Sequence, residues 1–208
     1  MNSGDQSGLA AKEKRLLLLA FAITTRDKEL LHELRTTAPA GEPDREWRET
    51  LLQTHLFAGF PSVVEALRVL SRIGGLGKPA SEEEAHEADD FERGQKLFSA
   101  VYGSNEELVR RQIASAHPLF ERWVLGHAYG RVLSRDGLAP RMRELLAVTC
   151  LCAQGLERQL ASHVRGAIAL GATRNDVEEI LTLLEGRIPE DALARARVVV
   201  QRYANGER

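Results

Sequence analysis

Cysteine is almost missing: among 208 residues there are two, Cys150 and Cys152. Their separation within a helical pattern sets them about 200° apart around the helix. They cannot easily bond each other or share a metal ion. They read as small buried side chains, and they give no reason to expect an oxidising compartment. Aromatic residues make up only 5%, which leaves little for a base-stacking platform. Neither sign of charge dominates, with 28 Lys and Arg against 30 Asp and Glu and a net charge of -2. No nucleic acid or anionic membrane is therefore expected as a partner. No apolar run approaches the roughly 20 residues that span a bilayer; Leu16–Ile23 is apolar but short. Met1–Gly8 is small and polar, unlike a signal peptide. The expectation is a soluble, cytoplasmic chain.

Strand signals are nearly absent as well, and helical spacing is everywhere. The pattern predicts an all-α fold with helices near 10–24, 26–37, 44–56, 61–73, 90–101, 104–114, 117–134, 139–153, 156–170, 173–185 and 189–204. Punctuation agrees. Gly155 breaks one pair of helices, Gly171 ends the next helix, and Thr173 with Asp176 forms a capping box. Pro61 and Pro189 stand at the first turns of their helices. Residues 74–91 are rich in Gly, Pro and acids and read as a linker, its second half as a solvated helix start. Glu82–Glu84 read as a solubilising run.

The chain matches itself at an offset of 128, without a gap from Arg15/Arg143 to Pro61/Pro189. Identical pairs include Leu17/Leu145, Glu29/Glu157 and Thr54/Thr182. This predicts two tandem helical units, a degenerate one at 1–73 and a fuller one at 92–208, joined by the linker at 74–91. The copies differ in polarity, since Leu16 faces Glu144 and Arg35 faces His163 in the match.

One constellation carries chemistry. If the helices flanking Gln154-Gly155 form an antiparallel hairpin, Glu144 and His163 meet at one level, their midpoint falling beside the turn. Each lies on an apolar stripe, Glu144 with Val148, Leu151 and Cys152, and His163 with Leu156, Leu160 and Ala167. A carboxylate beside an imidazole favours the imidazolium and fixes its tautomer, which suits general acid–base work. The alternative is a structural Glu–His bond that locks the hairpin. His127, Tyr129 and Gln159 are candidate pocket residues. Arg165 lies on another face of the His163 helix and is expected at solvent or at a subunit contact. No metal or cofactor motif is present.

Three segments carry a family resemblance: GQKLFSAVYG at Gly94–Gly103, HAYGRVLSRDGLAPRMREL at His127–Leu145, and SHVRGAIALGATRNDVEEIL at Ser162–Leu181. They resemble the carboxymuconolactone decarboxylase family. FAGFPSVVEALRVL at Phe57–Leu70 resembles the same family's C-terminal part, which fits the tandem reading. The resemblance implies an all-helical fold assembling into rings, often of six units, and cofactor-free decarboxylation of a carboxylated unsaturated lactone. Two units per chain would then close a ring with three chains.

On this basis His163 is expected to be the proton donor, Glu144 its orienting partner, and His127, Tyr129 and Gln159 the pocket wall. A sister family, the alkylhydroperoxidase D proteins, carries a Cys-x-x-Cys pair in this hairpin. Here those positions hold Leu156 and Gln159, so dithiol peroxidase chemistry is not expected. Glu185-Gly186-Arg187-Ile188-Pro189, Tyr129 and Ala169-Leu170 depart from the family pattern along the pocket wall and point to a different substrate. A small-ligand-binding scaffold is the rival class.

Overall fold

A computed structural model describes residues 8–84 and 90–204. The elements are α1 (Ala11–Thr25), α2 (Lys28–Thr36), α3 (Asp44–Ser71), α4 (Ser81–Glu84), α5 (Asp90–Tyr102) and a 3-10 turn (Gly103–Asn105). They continue as α6 (Glu106–Ala116), α7 (Pro118–Trp123), a π-helix (Val124–Leu133), α8 (Pro140–Gln154), α9 (Glu157–Ala169), α10 (Arg174–Leu184) and α11 (Glu190–Tyr203). No strand occurs among the described residues, so the protein is all-α as expected. No described helix is long and apolar enough to cross a membrane.

Helix α8 is central. Every residue from Met142 to Cys152 is buried, because a helix without a polar stripe must be covered on all sides. Helices α1, α3, α9, α10 and α11 pack around it. In α1, Leu16, Leu17 and Leu19–Ile23 are buried against the same core. A second, smaller core of Phe98, Val101, Leu125, Tyr129 and Leu133 joins α5 to the π-helix. Glycines set that contact. A Cβ on Gly94 would stand 1.9 Å from the Leu125 carbonyl oxygen, and one on Gly130 would stand 1.8 Å from that of Asp90. Only glycine permits so close an approach.

Total burial of α8 also buries Arg143, which is tolerable only if its charge is paired and hydrogen-bonded. Arg143 Nη2 donates to Glu49 Oε2 at 2.8 Å and to the carbonyls of Arg135 and Asp136, Nε donates to the Arg135 carbonyl, and Nη1 to Gln53 Oε1. Arg135 grips the same carboxylate at 2.8–3.1 Å through Nε and Nη2. Gln53 in turn donates to the Arg143 carbonyl at 2.6 Å. Burial pushes the Arg143 pKa down, and Glu49 opposes it.

Several expectations change in detail. The helices expected at 44–56 and 61–73 both form within α3, which is broken by the non-helical backbone of Gly59 (φ 77°, ψ 159°) just before Pro61 and has little chain between its two halves. The helix expected at 117–134 forms without a backbone break and passes from the α-helical α7 into the π-helix at Val124. Pro189 is the N-cap of α11 rather than part of its first turn. The acids at 82–84 do more than solubilise: Glu83 is buried, binds Arg48 at 2.7 and 2.9 Å, and is held down to about 2 by that guanidinium. The rest of the expected helix start, residues 85–89, lies outside the described residues.

The order α1–α2–α3 parallels α8–α9–α10–α11, with the bend of α3 standing where α10 gives way to α11. Arg26 and Gly155, 129 positions apart, are both left-handed C-caps. One residue of slack therefore separates this hairpin register from the Pro61/Pro189 match. In the hairpin register Arg15 stands for Glu144 and Leu34 for His163, so the N-terminal hairpin lacks the pair either way.

Removing the Glu49 charge should strand the buried Arg143. Glu49→Gln is expected to lower the unfolding free energy by about 3–5 kcal/mol in urea titration; an unchanged midpoint would show that α3 and α8 do not depend on this pair.

Candidate active site in the hairpin of α8 and α9

Gly155 ends α8 in the left-handed region (φ 65°, ψ 31°), which turns the chain back into α9. Residues on either side of the turn then lie level. His163 Nδ1 meets Glu144 Oε2 at 2.8 Å, with the Glu144 side chain 2% and the His163 side chain 11% exposed. The bond to Glu144 holds the Nδ1 proton and leaves Nε2 without a hydrogen-bond partner among the described residues. The edge of Phe57, from α3, meets the His163 ring at 5.8 Å between centroids.

Gly166 makes room for the carboxylate. It lies one turn beyond His163, and a Cβ there would stand 2.7 Å from Glu144 Oε2 and 2.8 Å from Val101 Cγ1. Val101 and Glu144 thus converge on α9 from two helices. Tyr102, next to Val101, and Tyr129, on the π-helix, share a hydroxyl–hydroxyl contact of 3.2 Å. Both feel the Glu144 carboxylate. Burial first, with the repulsion of Glu144 added, keeps the Tyr129 phenol well above its usual range and raises that of Tyr102.

The other expected site residues are dispersed. Tyr129 joins the neighbourhood of Glu144 as described. His127 turns instead to α3, where its Nε2 meets His55 Nε2 at 2.8 Å. Gln159 is exposed, although it shares the side of α9 that carries His163. Arg165 stacks over Tyr203 at 4.7 Å. Phe57, Tyr102 and Gly166 were not singled out from sequence as site residues. All three lie within segments that carry the family resemblance, the one signal that could have found them. Cys150 and Cys152 are buried, and burial pushes both thiols up to about 12, so neither supplies a thiolate near neutral pH. Among the described residues, no three His, Cys, Asp or Glu side chains are grouped to hold a metal ion.

Comparison with known proteins agrees with this core. Residues 118–197, which contain the hairpin, match the carboxymuconolactone decarboxylase family. The chain belongs to this family. It is 31% identical over 135 residues to Peroxisomal protein 2 of Schizosaccharomyces pombe, covering 62% of each chain. It is 28% identical over 94 residues to 4-carboxymuconolactone decarboxylase of Acinetobacter baylyi, covering 44% of this chain and 69% of that one. Nitrosuccinic acid decarboxylase of Metarhizium robertsii is 27% identical over 133 residues, covering 62% of this chain and 91% of that one. The chain thus spans about three fifths of the length of the fission-yeast relative.

The His127–His55 contact has a consequence for pH. His55 Nδ1 bonds the Leu52 carbonyl oxygen, so His55 Nε2 is the acceptor and His127 Nε2 the donor while His55 is neutral. Burial lowers the His127 pKa below 6.5; His55 from α3 and Arg131 push the same way, and Asp90 opposes them. A histidine with a depressed folded-state pKa disfavours the fold as pH falls, because the unfolded chain binds its proton first. The unfolding midpoint should fall once the pH drops below about 6.5, less steeply in His127→Gln; parallel curves for the two proteins would refute the assignment.

Proposed function

We propose that this chain is a cofactor-independent decarboxylase, acting on a small carboxylated lactone or a related intermediate of aromatic degradation. The observation that carries the reading is the enclosed Glu144–His163 pair, with no hydrogen-bond partner on Nε2 among the described residues. When CO2 leaves such an acid, the electron pair of the broken C–C bond delocalises onto a conjugated oxygen, and a proton must then return to carbon. The His163 imidazolium gives that proton from Nε2 and regains one from solvent. Glu144 holds the ring through Nδ1 and orients Nε2.

Two relatives are named as decarboxylases, of 4-carboxymuconolactone and of nitrosuccinic acid. In both acids the carboxylate leaves a carbanion that spreads onto oxygen, which supports the reaction class. It does not choose the substrate. Tyr129 is proposed as pocket wall, and His127 and Gln159 as residues of its outer rim.

Loss of 4-carboxymuconolactone absorbance, followed in the ultraviolet, tests the reading. His163→Gln should reduce the rate by roughly 10²–10⁴, and an undiminished rate overturns its role as the donor. The slight exposure of His163 favours one competing reading, a buried lock within a non-catalytic, ligand-binding scaffold. In that case His163→Gln costs stability and there is no turnover to lose.

The chain is further proposed to work in the cytoplasm, the peroxisomal name belonging to its fission-yeast relative, and as a homo-oligomer of three chains that close a six-unit ring. Phe60, Val64 and Leu67, exposed along one side of α3, supply apolar surface for such a contact. Light scattering should return three times the chain mass; a monomer would exclude the ring.

A further inference from the structure

The Tyr102–Tyr129 pair has one proton too many. Tyr129 is only 4% exposed and its hydroxyl donates to that of Tyr102 at 3.2 Å. Two phenols carry two protons, and this bond uses one. No hydrogen bond takes up the second, on Tyr102, from any acceptor among the described residues. Tyr102 is only partly buried, which leaves this proton available to a ligand.

The two rings are also held in place. Phe98 packs against Tyr102 with tilted rings 4.3 Å apart and meets Tyr129 edge-on at 4.8 Å. The close approach at Gly94 and Gly130 fixes α5 against the π-helix, on which the two tyrosines stand. Val101, one residue before Tyr102, touches the same point over Gly166 as the Glu144 carboxylate. An O–H donor without an acceptor among the described residues therefore stands on α5, which packs against α9, close enough to Glu144 to feel its charge.

We propose that Tyr102, backed by Tyr129, donates a hydrogen bond to the substrate oxygen that takes up negative charge as CO2 departs. The substrate class follows: an acid whose carboxylate-bearing carbon is conjugated to a carbonyl or nitro group, so that the charge reaches an oxygen. Tyr102 transfers no proton. It polarises its O–H toward the developing enolate or nitronate oxygen, while the C–C bond breaks and the electron pair moves onto that oxygen. His163 then delivers the proton to carbon. Burial first, with the repulsion of Glu144 added, keeps both phenols protonated, as a donor of this kind requires. Tyr129, donating to the Tyr102 oxygen, makes the remaining Tyr102 proton a stronger donor through cooperativity.

The proposal rests on the decarboxylase reading for its reaction, and a binding measurement separates the two. The probe is 4-nitrophenolate, a planar anion with its charge on a conjugated oxygen, titrated into the intact chain and compared with uncharged nitrobenzene. The wild-type protein should bind the anion. Tyr102→Phe, which keeps the ring and its packing, should bind it at least about tenfold more weakly, with nitrobenzene binding unchanged. Tyr129→Phe should show a smaller loss. Equal anion affinity in wild type and Tyr102→Phe overturns the proposal, as does a wild-type chain that fails to bind the anion. Where a substrate is turned over, Tyr102→Phe should lower kcat by about 10²–10³ with little change in KM, while His163→Gln retains anion binding. Anion binding that depends on Tyr102, without turnover of any acid tested, leaves the donor standing and sets aside the decarboxylase reading alone.

Discussion

The structure depends on one constraint: α8 is buried on every side, yet its sequence places Arg143 and Glu144 next to each other in its interior. Neither charge can reach water, so each must be met by a partner from another element. About 100° separates neighbouring side chains on a helix, so the two partners come from different directions. Glu49 on α3 meets Arg143, and His163 on α9 meets Glu144. The first pairing ties the N-terminal helices to the centre. The second closes the hairpin and creates the candidate site. A helix that would otherwise slide as a smooth apolar rod is thereby held in one register.

Glycine does the complementary work. At Gly94, Gly130 and Gly166 the missing Cβ is occupied by a carbonyl or a carboxylate of another element. Two of these contacts set the π-helix against α5, and the third seats Glu144 between α9 and Val101. The aromatic hydroxyls, the carboxylate and the imidazole are thus gathered by backbone approach rather than by long side chains. Short, packed supports of this kind hold reacting groups with little residual freedom.

The same burial decides which chemistry the hairpin can carry. The thiols of Cys150 and Cys152 are pushed far from ionisation, and the positions that bear cysteines in the sister family hold Leu156 and Gln159. What remains beside the turn is proton chemistry: one imidazole oriented by a carboxylate, and two phenols held neutral by burial, with the repulsion of the same carboxylate added. That set matches a reaction in which charge is created on oxygen and then quenched at carbon. The family membership through residues 118–197 and the decarboxylase names of two relatives bear on the same reaction class.

By itself the sequence determined what is local or periodic. Helical spacing and caps located nearly every helix, and the capping box at Thr173 and Asp176 forms as read. The Glu144–His163 contact was legible because a hairpin converts equal distance from Gly155 into spatial proximity. Contacts between distant elements follow no such rule and were decided only by the tertiary structure. Glu83 reads as one acid in a solvated run until α3 brings Arg48 to it. His127 reads as a neighbour of His163 until the π-helix aims it at His55, 72 positions away. Glu49 carried no signal, and Tyr102 only its place in the Gly94–Gly103 segment, since a carboxylate or a phenol on a helix looks the same whether it faces water or a buried charge. Periodicity reports which side of a helix is covered; the packing of elements far apart in sequence decides by what.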